Sequence, residues 1–555
     1  MVLEYYSPRG LLILQRLIRY FKELIFQNSP PLFLWVPALC IVLLLLVSPS
    51  YLIIRSFGGG WDGLDLVFRM RVLEILVRTI ILVVSVTVAT VLISVPLAWL
   101  QVRTDLYFVR FWRVITSLPL VIPTYVGGFI LVVEWGPKGI LQVILELLLG
   151  IDRIPDISGF SGAFFILSLL SFPYVLLPVR AALRRMDDTL EDSSRSLGHN
   201  RFATFLRVTL PLLRPSIIAG ALLVALYTLS DFGAVSLMRY ETFTWAIFSQ
   251  YEGSLNRYFG ALLSLILMVL ALVIVMSEGF MRGKSRYYTS DSNKEFAVSV
   301  VRLGHWQWVA QMYSAIICLL SLLLPCAILV YWVFQGVQGG EQVGSLWSLA
   351  WNSAWISALA AIVTMGAAIP VAYLAVRFPS PLSSVIERVT YIGFALPGIA
   401  VALGLVFLGA RHIPWVYQSF WILIAGYLIL FLPAAVGSTR ASLLQIQPNL
   451  EHAGRSLGRG PFFVMRSVTF PLMRSGVLAG GALVFLLTMK ELPATLILSP
   501  LGFSTLATSI WSASSEALFA AAAAPSLLLI LVAAIPMTLL SLQEDRRPKA
   551  SREID

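Results

Sequence analysis

The chain has little of what chemistry in water usually needs. Only 12% of its residues are charged, against about a quarter in an ordinary soluble domain, and 58% are hydrophobic. Its three cysteines, Cys40, Cys318 and Cys326, all fall inside apolar runs without metal-ligand spacing, so they read as packing residues. The four histidines, His199, His305, His412 and His452, do not cluster, which leaves no metal site to assign. There is no Gly-x-x-x-x-Gly-Lys-Ser/Thr phosphate loop, and Lys138 in Gly136-Pro-Lys-Gly139 lacks that context. Nucleophile elbow and His-Glu-x-x-His motifs are missing too. The expectation is a chain that is not an enzyme, carries no cofactor and does not bind ATP itself. A net charge of +11 fits nucleic acid in principle, but the basic residues are spread between apolar runs. That is the pattern of membrane topology, and no nucleic-acid partner is expected.

What is present is apolar sequence. A spanning helix needs about twenty apolar residues. Twelve such runs occur, at roughly 32–54, 75–101, 112–134, 160–182, 212–232, 259–280, 308–334, 350–376, 387–409, 417–438, 472–493 and 517–541. The expected fold is an all-α polytopic membrane protein of about twelve transmembrane helices, bathed in lipid. The run 139–149 is too short to span and is interrupted by Gln142 and Glu146, so it is expected to lie on the membrane surface or over the bundle. The first ~30 residues are amphipathic and basic (Arg16, Arg19, Lys22) and do not read as a cleavable signal. With both termini in the cytoplasm, about thirty of the 40 Lys and Arg fall on the cytoplasmic side.

The chain also repeats itself. Glu191-Asp-Ser-Ser-Arg-Ser-Leu-Gly198, with Phe202, Thr209-Leu-Pro211 and Arg214, recurs as Glu451-His-Ala-Gly-Arg-Ser-Leu-Gly458, with Phe462, Thr469-Phe-Pro471 and Arg474. The offset is 260 throughout, and 191–228 agrees with 451–488 at about seventeen of thirty-eight positions. Upstream, Pro96 and Pro123 match Pro370 and Pro397 at an offset of 274, so the first copy carries about fourteen extra residues (274 − 260) after its third run. Pro173 and Arg180 match Pro433 and Arg440 at 260. Six runs per copy is an even number, so the two repeats are expected to lie parallel across the membrane, about a pseudo-two-fold axis with a pathway between them. The reading is a first repeat at 1–281, a cytoplasmic linker at 282–307 and a second repeat at 308–555.

Each polar loop, about 187–214 and 447–474, predicts a short helix, a stop, and a second helix. Asp188 with Glu191 forms a capping-box spacing, and Pro448 suits a first helical turn. Gly198 and Gly458 end the short helices, Pro461 starts the next, and Pro211 and Pro471 are expected to bend the chain into the following run. Glu191 and Glu451 can be helix caps, yet capping does not explain why a whole loop recurs at fixed spacing. Arg195 and Arg455 recur as well and are candidates for contact with a partner surface.

A second pair of acids obeys the same offset. Asp231 and Glu491 each follow their loop glutamate by forty residues. From Pro211 to Asp231 is about 30 Å of helix, one membrane thickness, which places both acids at the external end of equivalent helices. They are either interfacial caps, with Glu491 neutralised by Lys490, or a carboxylate vestibule for a hard cation, to which Tyr240 and Glu241 add oxygen.

The Glu-x-x-x-x-x-x-Gly step followed by Leu-Pro-Leu resembles the coupling loop, the "EAA" motif, of ABC importer permeases. Asp192-Ser193 and His452-Ala453 depart from the two alanines of that motif. The whole chain resembles the permeases with two fused halves, in the branch that handles ferric iron, with Leu229-Ser-Asp-Phe-Gly-Ala-Val-Ser236 and Lys490-Glu-Leu-Pro-Ala-Thr495 carrying that likeness and thiamine permeases as relatives. The resemblance implies a type I importer architecture in a bacterial inner membrane. It also implies two ATPase subunits gripping Glu191, Arg195, Gly198 and Glu451, Arg455, Gly458, and a periplasmic binding protein at the outer face. Import of thiamine or another small solute is the alternative. A secondary transporter is disfavoured because the carboxylates sit at run ends, not mid-run.

Overall fold

The computed structural model describes residues 31–57, 69–136, 157–186, 189–253, 257–281, 301–340 and 346–545, with Gly139, Gln142, Glu146 and Gly150 between them. The basic N-terminal stretch, Lys138, Asp188 of the capping box, most of 139–149, residues 282–300 of the linker and the C-terminal tail lie outside the described residues.

Ten helices among the described residues are long and apolar enough to cross a membrane, and two further bent pairs bring the number to 12. They correspond in order to the twelve runs. Chains cross bilayers this way because a helix satisfies every backbone polar group within itself.

The third and ninth runs differ from the straight spans expected of them. Val109–Val121 meets Thr124–Trp135 at 91°, and Pro381–Phe394 meets Gly398–His412 at 108°. Proline is the cause. Pro123 and Pro397 sit in extended backbone (ψ 149° and 144°), without an N–H to continue the ladder, and proline also pushes the preceding residue out of helical geometry: Ile122 has ψ 118°. The break is buried at Val121, Ile122 and Pro123, where freed backbone is shielded from lipid. New helices start at Thr124 and Gly398.

Pro211 and Pro471 do the reverse of what the sequence predicts. Arg201–Ser230 and Pro461–Met489 each run as one long helix. A five-residue π turn, Phe205–Thr209 in one copy and Met465–Thr469 in the other, precedes each proline and absorbs its missing hydrogen bond.

Two compact units partition the chain, and they do not follow the repeats. One comprises 1–47, 358–393 and 427–485; the other comprises 48–357, 394–426 and 486–555. Within the larger unit, Val83, Leu229, Phe243, Ile247, Leu263 and Leu267 form a buried apolar cluster. Small residues set the helix spacing there: a Cβ on Gly220 would lie 2.7 Å from Val175 Cα, so only glycine permits that crossing. In the smaller unit the equivalent Gly480 faces the side chains of Ser438 and Met365 instead of backbone.

Candidate functional site

The polar loops fold into two short helices, Thr189–Ser196 and Pro448–Ser456. Both end in the same cap. Gly198 N–H donates to Arg195 O (2.9 Å) and His199 N–H to Ser194 O (3.3 Å); Gly458 and Arg459 repeat this on Arg455 O and Gly454 O. The cap needs a left-handed residue, and Gly198 (φ 86°) and Gly458 (φ 78°) supply it. Pro448 occupies the first turn and Pro461 starts the next helix, as their positions predict. In the first copy Asn200, which the sequence reading passed over, caps the following helix through Ala203 N–H (2.7 Å).

The loop glutamates point inward. Glu191 and Glu451 are 5% and 3% exposed. Glu191 accepts from Thr209 Oγ1 (2.8 Å) and lies 3.9 Å from Arg103 and from Arg195. Glu451 accepts from Thr469 Oγ1, Arg377 Nε and Tyr373 Oη, each at 3.0 Å. A buried carboxylate persists only when paired and hydrogen-bonded, and here the repeat supplies equivalent partners. Arg103 and Arg377 were missed in the sequence, although the offset of 274 that pairs Pro96 with Pro370 pairs them as well. What the loops leave outward are Leu190, Leu197 and Phe202 in one copy and Leu450, Leu457 and Phe462 in the other, all exposed.

The second pair of acids caps helices. Asp231 is buried after the long helix Leu210–Ser230, accepts from the N–H groups of Ala234 (3.0 Å) and Val235 (3.3 Å), and is hydrogen-bonded by Thr124 Oγ1. Glu491 follows Phe470–Met489 and accepts from Ala494 N–H (3.3 Å). Both therefore face the N-terminus of a short helix, where the macrodipole favours an anion. Lys490 Nζ donates to Leu120 O (3.0 Å) and lies 5.6 Å and 6.0 Å from the ring centroids of Tyr227 and Tyr174.

Tyr240 and Glu241 are engaged elsewhere. Tyr240 Oη donates to Arg78 O (3.1 Å), and its phenol is pushed up by burial against the opposing pull of Arg78. Glu241 pairs with Arg78 (3.4 Å) and Arg71 (3.9 Å). Among the described residues no three His, Cys, Asp or Glu side chains gather where they could hold a metal ion.

The sequence profile of the family described as "Binding-protein-dependent transport system inner membrane component" matches residues 13–278 and 366–547. The chain belongs to this family of permeases. The permease is 37% identical over 518 residues to the Fe(3+)-transport system permease protein FbpB 2 of Haemophilus influenzae, covering 92% of this chain and 98% of that one. It is 34% identical over 161 residues to the molybdenum transport system permease protein ModB of Escherichia coli, covering 28% of this chain and 69% of that protein. To the ferric transport system permease protein FbpB of Actinobacillus pleuropneumoniae it is 21% identical over 409 residues, 70% of this chain and 59% of the other. The profile matches once in each repeat, so the permease carries two fused halves of an ABC importer and is a multi-pass inner-membrane protein. Its family works with a binding protein and a separate ATPase, and the permease itself is a transporter component, not an enzyme.

Proposed function

We propose that this permease carries ferric iron inward, from a periplasmic binding protein at its outer face, on energy supplied by two copies of a separate ATPase. The likeness to a relative that this chain covers at 98% of its length, and whose name assigns it Fe(3+) transport, carries the proposal. In this reading the halves are 1–281 and 308–555, joined by the linker 282–307, and both termini are cytoplasmic. The ATPases dock one to each loop helix, against the exposed Leu190, Leu197 and Leu450, Leu457. Glu191, Arg195, Gly198 and Glu451, Arg455, Gly458 shape those docking elements. Because both glutamates are buried, their part is to hold the helix in place, and the apolar side chains make the contact. Asp231, Lys490 and Glu491 belong to the pathway, and Tyr240 with Glu241 brace its outer loop against Arg78.

The test is uptake of radiolabelled ferric iron in a deletion strain complemented with the permease, with thiamine and molybdate as parallel solutes. Restored iron uptake that disappears in the Glu191→Gln, Glu451→Gln double variant supports the proposal. Uptake of iron that is unaffected by the deletion, while thiamine or molybdate uptake is lost, overturns it. The molybdate arm is included because of the shorter match to the molybdenum permease.

A further inference from the structure

One lysine reaches from the second repeat to the first. Lys490 follows the helix Phe470–Met489, yet its Nζ donates to Leu120 O at 3.0 Å. Proline frees that carbonyl. Leu120 lies in the tight turn Leu118–Val121, whose hydrogen bonds close over three residues, as Ile122 N–H does on Pro119 O at 3.1 Å. The residue three after Leu120 is Pro123, which has no N–H to donate. The ammonium also stands 5.6 Å and 6.0 Å from the ring centroids of Tyr227 and Tyr174, and those centroids are 5.2 Å apart. A carbonyl oxygen and two ring faces are groups that hold a cation out of water. All these residues belong to the larger unit, and Lys490 and both tyrosines are half-buried in it. Tyr174 lies near the middle of the span Phe160–Arg185, so the contact sits within the apolar thickness. A lysine there is expensive, and such residues mark solute paths.

The duplication holds no second copy of this contact. The offset of 260 sets Ser230 opposite Lys490, Ala434 opposite Tyr174 and Leu487 opposite Tyr227. Ser230 Oγ turns back on its own helix and donates to Leu226 O (2.9 Å) or Tyr227 O (3.2 Å). Helix caps and glutamate seats recur because each half has to fold, whereas a solute passing between halves needs one recognition site, not two. We propose that Leu120 O and the ring faces of Tyr174 and Tyr227 form the recognition site for a positively charged solute, and that the Lys490 ammonium is a tethered cation holding this site until the solute displaces it. The proposal rests on reading the surroundings of Asp231 and Glu491 as the pathway. Lys490 is then a specificity residue: a neutral or anionic solute gains nothing from the groups that the ammonium occupies.

Chemical rescue tests this on the full-length permease in lipid nanodiscs. Lys490→Ala removes the tethered cation and leaves the rings and the carbonyl; Lys490→Ser, the residue that the first repeat carries, does the same if the alanine variant does not fold. The n-propylammonium ion, the severed end of the lysine side chain, should then bind saturably and raise the thermal unfolding midpoint. Uncharged n-propanol should not, and the wild type should respond to neither. Adding Tyr227→Leu should weaken propylammonium binding about fivefold or more, the loss of one cation–ring contact. In proteoliposomes with ATPase and binding protein, propylammonium should inhibit import of radiolabelled ferric iron by the Lys490 variant, at the concentration that half-saturates the midpoint shift, and leave wild-type import untouched. Absence of saturable rescue, or equal rescue by propanol, overturns the cation site. Rescue without inhibition of import overturns its place on the pathway. Rescue, with propylammonium inhibiting import of a different cation by a complex that carries no iron, supports the site and overturns the iron assignment alone.

Discussion

Gly398 gives the most direct check on how the second repeat accommodates its acid. Thr124 and Gly398 are equivalent at an offset of 274, as Asp231 and Glu491 are at 260. The first repeat places a short acid against a threonine; the second places an acid one methylene longer against no side chain at all. A Cβ at Gly398 would lie 2.5 Å from Glu491 Oε1, the atom that caps Ala494 N–H at 3.3 Å. Gly398→Ala therefore has to displace the carboxylate. Overpacking of this kind costs about 1–3 kcal/mol, and loss of the cap adds about 1 kcal/mol. Glu491→Asp withdraws the carboxylate by one methylene and makes room for the methyl. Because the two positions touch, their effects should not add: the double variant should recover about 1–2 kcal/mol of the summed losses. The thermal unfolding midpoint of the detergent-purified permease reads this directly, with Gly398→Ala lower than the double variant. If Gly398→Ala unfolds with the wild type, or if the two losses simply sum, then the longer acid does not occupy the space that threonine fills in the first repeat.

Thr209→Val and Thr469→Val each remove a hydroxyl donor from a buried glutamate without changing shape much, and each should cost about 1.5–3 kcal/mol, read as a lower unfolding midpoint; wild-type stability in both would mean that the glutamates are solvated in the native protein. Asp231→Asn keeps an acceptor for Ala234 and Val235 but removes the charge, so a purely capping acid should lose stability slightly and keep transport, whereas an acid that meets the solute should lose iron uptake at normal expression. Uptake per folded permease decides between the two.

Much of this was legible because the bilayer leaves few solutions. Apolar runs of about twenty residues locate spanning helices, and all twelve runs have their helix or bent pair. The loop helices, their glycine caps and Pro448 were legible because capping is local chemistry, settled within six residues. The breaks at Pro123 and Pro397 were written in the sequence as prolines in mid-run and in matching places, and reading those runs as straight spans overlooked them. What sequence could not show is where a side chain ends up across helices. Arg103 and Arg377 close the last turn of their spans, some eighty residues from the glutamates they face, and only the tertiary fold brings them there. Nearness in sequence misled in the other direction: Tyr240 and Glu241 follow Asp231 closely, yet Arg78 and Arg71 claim them.

The duplicated positions show what was kept and what was free to change. Phe243 N–H donates to Thr79 Oγ1 (3.3 Å), and in the second repeat Leu506 N–H donates to Ser353 Oγ (2.7 Å), the same bond made by different residues. One residue earlier along each helix, the ion pair of Arg78 with Glu241 becomes a neutral bond from Asn352 Nδ2 to Ser504 O (3.0 Å). Hydroxyl acceptors for helix N-termini survived duplication because an unmet N–H away from water costs about 1–3 kcal/mol in any copy. Charges did not have to survive, since an exposed ion pair contributes at most about 1 kcal/mol. The exceptions are the charges kept at buried or half-buried positions: Glu191 with Glu451, Arg103 with the half-buried Arg377, and Asp231 with the half-buried Glu491. An uncompensated charge there would cost several kcal/mol, so each can persist only while its partners persist with it. The acids at 231 and 491 changed length only together with the residue opposite, threonine giving way to glycine, and that linked change is what physics requires if the same pocket must hold a carboxylate in both halves.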